Sequence, residues 1–248
     1  MPREITSLQH PIVKYLVKLR KSRDFRREHN GALIAGKKLV SELGRDFPLK
    51  TLLIEMGAKA LPVSSAETFH VTPEILKKIT GLEAPEPYAA EIELPSKTNL
   101  KGKKFLLALD GVSDPGNLGT LIRSALALGW EGVFLTSGSA DPYSDKALRA
   151  AKGATFHLPL VEGSSQELAE LIEQEKLAVL LADMDGKNVE TEKVSPPLLL
   201  VMGSESHGVK FKPSKATTLA IPMPGKTESL NVAIAGSILM YLLRARTP

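Results

Sequence analysis

Asp110-Gly-Val-Ser-Asp-Pro-Gly-Asn-Leu-Gly-Thr-Leu-Ile-Arg-Ser-Ala125 follows an apolar run, Phe105 to Leu109, and leads into a helical pattern. The order is buried strand, polar loop, helix. A simple connector needs only a turn and a cap: Pro115 and the glycines shape the turn, and Asn117 can cap the helix. On that minimal reading Arg123 is a surface residue. The loop carries more polar detail than this, and it delivers a lone Arg into an otherwise apolar first helix. Ligands of open α/β sheets bind outside the carboxyl ends of strands, and helix N-termini attract phosphate. Asn117 and Arg123 are therefore candidate site residues.

Outward from this stretch the same alternation continues. Strands are expected at 104–109, 132–135, 156–160, 177–182, 198–202 and 217–221, with helices near 118–128, 144–152, 166–175 and 230–244. Apolar strands alternating with helices predict a parallel sheet covered on both faces. The last helix is unusual. From Leu230 to Leu243 only Asn231, Gly236 and Ser237 interrupt the apolar residues. A helix apolar nearly all round must be covered all round, which predicts a homodimer through this part of the chain.

The 248 residues suffice for one large domain or two small ones. At 43% apolar and 24% charged the composition is that of a folded protein. There is no cysteine, which excludes disulfides and thiolate metal sites. The first residues lack the apolar core of a signal peptide, and no apolar run approaches the roughly 20 residues of a membrane span. A soluble, cytoplasmic protein with no membrane partner is expected.

The net charge of +4 is unevenly placed. Between His10 and Lys38 stand nine basic residues against two acidic ones, so the remainder of the chain is net negative. Lys14, Lys18, Arg20, Arg23, Arg26, Arg27 and Lys37 are the candidates for contact with a phosphate backbone; the alternative is a solvated helix face. Around them, a helix over 12–19, short strands at 33–34 and 52–54, a helix over 37–43 and another opened by Thr72-Pro73 compose a small α/β domain. Gly81 to Asn99, with Pro85, Pro87 and Pro95, is the expected linker, although Tyr88 to Leu94 could form a strand. The domains are expected at 1–95 and 96–248.

Two further polar loops follow strands. In Val201-Met-Gly-Ser-Glu-Ser-His-Gly-Val209 a strand runs straight into Gly203, where a ligand can approach the backbone closely. The spacing of Gly203 and Gly208 is not a dinucleotide fingerprint, and His207 is more often incidental than catalytic in such a loop. Ile221-Pro-Met-Pro-Gly-Lys-Thr-Glu-Ser-Leu-Asn-Val232 contains Gly-Lys-Thr, but Ala220 stands where a P-loop needs glycine, and Pro222 and Pro224 remove backbone donors. Ser229 is a reasonable cap for the last helix.

Together the three loops resemble the SpoU/TrmH-type RNA 2′-O-ribose methyltransferases of the SPOUT superfamily. The resemblance is carried by Asp114-Pro-Gly-Asn-Leu-Gly-Thr-Leu-Ile-Arg-Ser-Ala125, Asp141-Pro-Tyr-Ser-Asp-Lys-Ala-Leu-Arg-Ala-Ala-Lys-Gly-Ala154, Met202-Gly-Ser-Glu-Ser-His-Gly208, Ile221-Pro-Met223 and Ser229-Leu-Asn-Val-Ala233. Ile5-Thr-Ser-Leu-Gln-His-Pro-Ile-Val-Lys-Tyr15 resembles the L30e-like substrate-binding domain of many members, with His10 where Asn is common and Ala35-Gly36 where Glu-Gly is usual.

The resemblance implies a C-terminal α/β domain with a deep trefoil knot, a small N-terminal α/β domain for RNA, and a homodimer with active sites near its interface. It implies S-adenosylmethionine as cofactor, held by Met202, Gly203, Ile221, Met223 and Leu230, with no metal. It implies methyl transfer to a ribose 2′-hydroxyl by Arg123, Asn117, Glu205, Ser229 and Asn231. That hydroxyl exists only in RNA, so the reaction itself selects RNA over DNA. A guanidinium is a weak base in ordinary surroundings, so Arg123 is expected to bind phosphate and developing alkoxide, with base duty as the alternative. Structured ribosomal RNA is the expected substrate; tRNA, or RNA binding without catalysis, is the alternative.

Overall fold

Strands apolar on both faces need a layer on each side, and both halves of this chain are built that way. A computed structural model describes residues 3–96, 98–225 and 229–245. The chain divides into two compact units, Met1–Ser96 with Tyr143–Phe156, and Lys97–Pro142 with His157–Pro248.

In chain order the first unit contains β1 (Arg3–Ile5), α1 (Pro11–Lys21), α2 (Arg23–Glu28), β2 (Gly31–Ala35), α3 (Lys37–Asp46), β3 (Leu49–Glu55), β4 (Ser65–Val71), α4 (Pro73–Thr80) and β5 (Tyr88–Glu93). The sheet order is β1-β4-β3-β5-β2, with β5 antiparallel to both β2 and β3. The expected linker thus holds an interior strand, buried from Tyr88 to Ile92. Successive side chains of a strand point to opposite faces. Leu33 and Leu53 enter one core with Leu16, Leu19 and Ile75; Ile34, Leu52 and Ile54 enter the other with Val40 and Leu43.

Two polar residues fix the first helices. His10 Nδ1 accepts from the Ile12 N–H at 3.3 Å, capping α1 just before Pro11. Arg26 is buried, and its guanidinium donates to the carbonyls of Leu19 and Arg20, both at 2.7 Å. Carbonyls at a helix C-terminus have no partner within the helix, so Arg26 closes α1. This corrects its expected place among exposed RNA contacts.

The second unit contains β6 (Phe105–Asp110), α5 (Pro115–Ala127), β7 (Gly132–Thr136), β8 (Leu160–Gly163), α8 (Ser165–Glu175), β9 (Ala178–Asn188), β10 (Leu198–Gly203), β11 (Thr217–Ala220) and α9 (Val232–Ala245). All six strands run parallel, in the order β11-β9-β10-β6-β7-β8. Leu106, Ala108, Leu199 and Val201 face Phe134 and Leu168 in the core. On the sheet, α9 packs against α5 at Gly236, where a Cβ would lie 2.4 Å from the Leu121 side chain. A larger residue there would have to displace the Leu121 side chain. The Ser237 hydroxyl, which donates to the Ala233 carbonyl at 2.7 Å, lies 2.8 Å from that of Ser124 beside it.

Between β7 and β8 lie α6 (Asp145–Ala151) and α7 (Ala154–His157). A strand over 156–160 is therefore replaced by a helical turn, with β8 beginning only at Leu160. The reason is burial: Phe156 packs 5.7 Å from Phe47 and 5.9 Å from Tyr143, ring centre to ring centre, in the first unit's core. Leu148 of α6 joins the same core, which is why Tyr143–Phe156 groups with the first unit. Two expected caps also move. The N-cap of α5 is Asp114, whose Oδ1 accepts from the Asn117 N–H at 2.8 Å. At α9 the cap is Asn231 rather than Ser229: its Oδ1 accepts from the N–H groups of Ala233 and Ile234 at 2.9 and 3.3 Å.

Candidate active site

Freed from capping α5, the Asn117 side chain is available for other contacts. Its Nδ2 donates to Glu205 Oε1 in the loop after β10, and its Oδ1 accepts from Asn231 Nδ2 at 3.1 Å. Asn231 is itself oriented by α9, because its oxygen takes the helix N–H groups and leaves its nitrogen for Asn117. One residue from each of the three polar loops thus meets at one point.

Beside this point lies a cavity of about 360 Å³, within the usual range for small-molecule sites. It opens at the carboxyl ends of β10 and β11 and beside the middle of β9, on the edge where ligands of parallel sheets bind. Met202, Gly203, Ile221, Met223, Leu230, Glu205, Ser229 and Asn231 all line it. Lys226 and Thr227 of the Gly-Lys-Thr run lie outside the described residues. The chain turns back at Gly203: Ser204 and Gly208 exchange backbone hydrogen bonds of 3.1 and 2.9 Å. A Cβ on Gly203 would sit 2.0 Å from the Gly208 carbonyl carbon, so only glycine fits. His207 is exposed at the tip, its Nδ1 2.6 Å from the Ser206 hydroxyl, and is not part of the lining.

Arg123 is not part of that lining either. It is exposed on α5, six residues beyond Asn117. At 3.6 residues per turn this places it about 120° around the helix from Asn117. Within one chain, then, Asn117 bonds to two residues that line the cavity, Glu205 and Asn231, and Arg123 is not part of the lining. Of the basic set, Lys14, Lys18, Arg27 and Lys37 are exposed, Arg20 and Arg23 half-buried, and Arg26 buried. Lys18 Nζ lies 4.3 Å from the centre of the Phe25 ring.

Ala182, Asp183 and Met184, in the middle of β9 just past the part that pairs with β10, form a wall that sequence reasoning missed. The signal available was positional: they continue a strand beyond its apolar part, at the edge where sites form. None of the described residues lining the cavity carries a positive charge, whereas Asp183 and Glu205 carry negative ones. Apolar walls at Leu219, Ile221 and Leu239, an open backbone at Gly203 and two carboxylates suit a ligand with a flat apolar part and a cationic centre. The donor set of S-adenosylmethionine fits that description.

An all-parallel sheet with a cavity at its carboxyl edge and an Asn–Glu–Asn cluster beside it defines a ligand-binding α/β unit. The chain belongs to the SpoU rRNA Methylase family, whose model matches residues 104–241. Residues 10–90 match the MRM3-like substrate binding domain. Among curated proteins it is 32% identical to the 23S rRNA (guanosine(2553)-2'-O)-methyltransferase RlmP of Bacillus subtilis, over 98% of this chain and 99% of that one. Among solved structures it is similar to the SpoU methyltransferase AviRb of Streptomyces viridochromogenes in complex with AdoMet, with a TM-score of 0.86 and 25% identity over 96% and 98% of the two chains. An AdoMet-bound rRNA methyltransferase from Sinorhizobium meliloti is 28% identical, with a TM-score of 0.83 over 98% and 97%.

Proposed function

We propose that this protein transfers a methyl group from S-adenosylmethionine to a ribose 2′-hydroxyl of 23S-type ribosomal RNA, acting as a homodimer. The observation that carries the reading is the convergence of Asn117, Glu205 and Asn231 beside a cavity whose described lining residues include no basic one. When bound, the cofactor supplies an electrophilic methyl group. The protein's part is alignment and charge placement. Gly203, Ile221 and Leu230 hold the donor with Met202 and Met223. Asn117, kept in place by Asn231 and Glu205, and the Ser229 hydroxyl orient the acceptor ribose.

Arg123 binds the adjacent phosphate and the alkoxide that develops as the hydroxyl loses its proton. Its exposure away from the cavity of its own chain supports a composite site. Leu126 on α5, and Ile234 and Tyr241 on α9, are exposed apolar residues, the last two 54% and 59% exposed. A second copy packed on this face covers them and carries Arg123 to the interface. The trefoil knot belongs to the same reading, supported by the passage from β10 over β9 to β11 and the return of α9 onto α5. Lys14, Lys18, Arg20, Arg23, Arg27 and Lys37 on the 1–95 domain contact the RNA. The preference for ribosomal over transfer RNA rests on that separate basic domain and on the relatives' substrates, and with the charge it fits a cytoplasmic enzyme.

Ribose-methylation mapping of total RNA, with and without the protein, tests the reaction and identifies the nucleotide. Replacing Arg123→Ala nearly abolishes transfer while the cofactor still binds by calorimetry. Normal turnover in that variant refutes the assignment, and mass measurement showing a monomer at micromolar concentration refutes the dimer.

A further inference from the structure

Asp110 ends β6 and is only 6% exposed, yet it forms no part of the cavity wall. Its carboxylate accepts three hydrogen bonds. Oδ2 takes the backbone N–H groups of Lys210 at 2.6 Å and Phe211 at 2.7 Å, and Oδ1 takes the Thr136 hydroxyl at 2.9 Å. The acceptor is itself held in place. The Gly111 N–H is shared between the hydroxyls of Thr136 and Ser139, each at 3.2 Å, and Ser139 donates to the Leu109 carbonyl at 2.9 Å. The ends of β6 and β7 therefore present one oriented, buried carboxylate.

What it grips is the far end of the loop that begins at Gly203. In the parallel pairing of β6 with β10, Asp110 stands opposite Gly203 itself. The loop is thus tied twice to the same residue: at its start through strand register, and at its end through Lys210 and Phe211. Between those ties lie the fold-back of Ser204 on Gly208 and the Glu205 side chain that meets Asn117. Bonds to a charged acceptor are the stronger kind, and two adjacent N–H groups on one oxygen fix both position and direction of the chain.

We propose that Asp110 is a positioning residue that holds the Ser204–Phe211 loop in the shape that keeps Gly203 on the cavity wall and Glu205 on Asn117. The proposal rests on reading the cavity as the S-adenosylmethionine site. Asn at this position keeps the size but removes the charge, so the two backbone N–H groups of Lys210 and Phe211 lose their charge-assisted acceptor and the grip on the loop weakens.

The test is calorimetric titration of S-adenosylmethionine into the full chain, wild type and Asp110→Asn, alongside kcat and the KM for RNA. Cofactor affinity is expected to fall about ten-fold or more. Turnover falls with it, the RNA KM stays within about two-fold because the basic unit is untouched, and far-ultraviolet circular dichroism is unchanged at the assay temperature. A purely structural role lowers the melting temperature without this split. Failure of the wild type to bind S-adenosylmethionine overturns the functional reading and the proposal with it. Wild-type binding matched within two-fold by Asp110→Asn overturns the positioning role alone. Should that variant not fold, Thr136→Val removes one donor at nearly constant volume and is expected to weaken binding by about three-fold; unchanged affinity there overturns the proposal equally.

Discussion

Replacing Gly203→Ala adds a single methyl group where the backbone has no room for it. The new Cβ would lie 2.0 Å from the Gly208 carbonyl carbon, 2.2 Å from its oxygen and 2.3 Å from the Val209 nitrogen. These are backbone atoms, so no side chain can swing away. Ordinary contact begins near 3.4 Å, which requires the loop to retreat by about 1.4 Å from Gly203. That breaks the paired hydrogen bonds between Ser204 and Gly208, worth about 1 kcal/mol each, and overpacking of this kind costs about 1–3 kcal/mol. A loss of about 3–5 kcal/mol follows, or roughly 150- to 5,000-fold in cofactor affinity. The assay is calorimetric titration with S-adenosylmethionine beside a thermal melt. Gly102→Ala, outside the cavity lining, is the control. Gly102 has φ +70° and open space where a Cβ would go, so that change costs only the roughly 1–2 kcal/mol of left-handed backbone strain. Its cofactor affinity stays within about ten-fold of wild type, the factor that about 1.4 kcal/mol represents. Binding by Gly203→Ala within a few-fold of wild type, or equal damage from the two substitutions, refutes the close-approach argument.

Two other predictions concern the rest of the chain. Arg26→Ala removes two bonds to helix carbonyls and should destabilise the protein by about 2–3 kcal/mol, whereas Lys18→Ala should leave the melting temperature within about 2 °C and reduce the salt dependence of RNA binding by about one phosphate contact. Equal melting temperatures for the two would refute the distinction. At the start of α8, the Ser164 backbone N–H and hydroxyl hold the Glu167 carboxyl below its ordinary value of 4.5. Its contribution is therefore present above that value and is lost as pH falls through the depressed one. Glu167→Gln should melt lower than wild type near neutrality, with the gap closing in acid; a gap independent of pH refutes this.

Much of the second unit was legible because its strands are continuous apolar runs and its polar loops stand out against them. Gly203 and Ser229 stood out by their place in the loops, Met202, Ile221, Met223, Glu205, Leu230 and Asn231 came from the family resemblance, and all eight line one cavity. The first unit was less legible. β4, Ser65–Val71, has mostly exposed or half-buried side chains and lacks an apolar pattern, and β5 is embedded among prolines that read as a linker. An apolar run around Phe156 looks alike whether it ends as strand or helical turn, since composition does not encode which core receives the ring.

By itself the sequence determined the alternation of strand and helix, the position of the three loops and the residue types that chemistry needs there. These are local properties, set by hydrophobic period, turn residues and the polarity of short segments. Tertiary structure alone decided that Asp114 and Asn231 cap the helices and so free Asn117 for Glu205, and that Arg26 is buried against helix carbonyls. It alone decided that Arg123 lies outside the lining of its own chain's cavity, that the middle of β9 supplies a wall, and that Asp110 grips Lys210 and Phe211 a hundred residues on. Each of these depends on which distant donors and acceptors share a small volume, and competition among partners for one hydrogen bond is resolved only when the chain is folded.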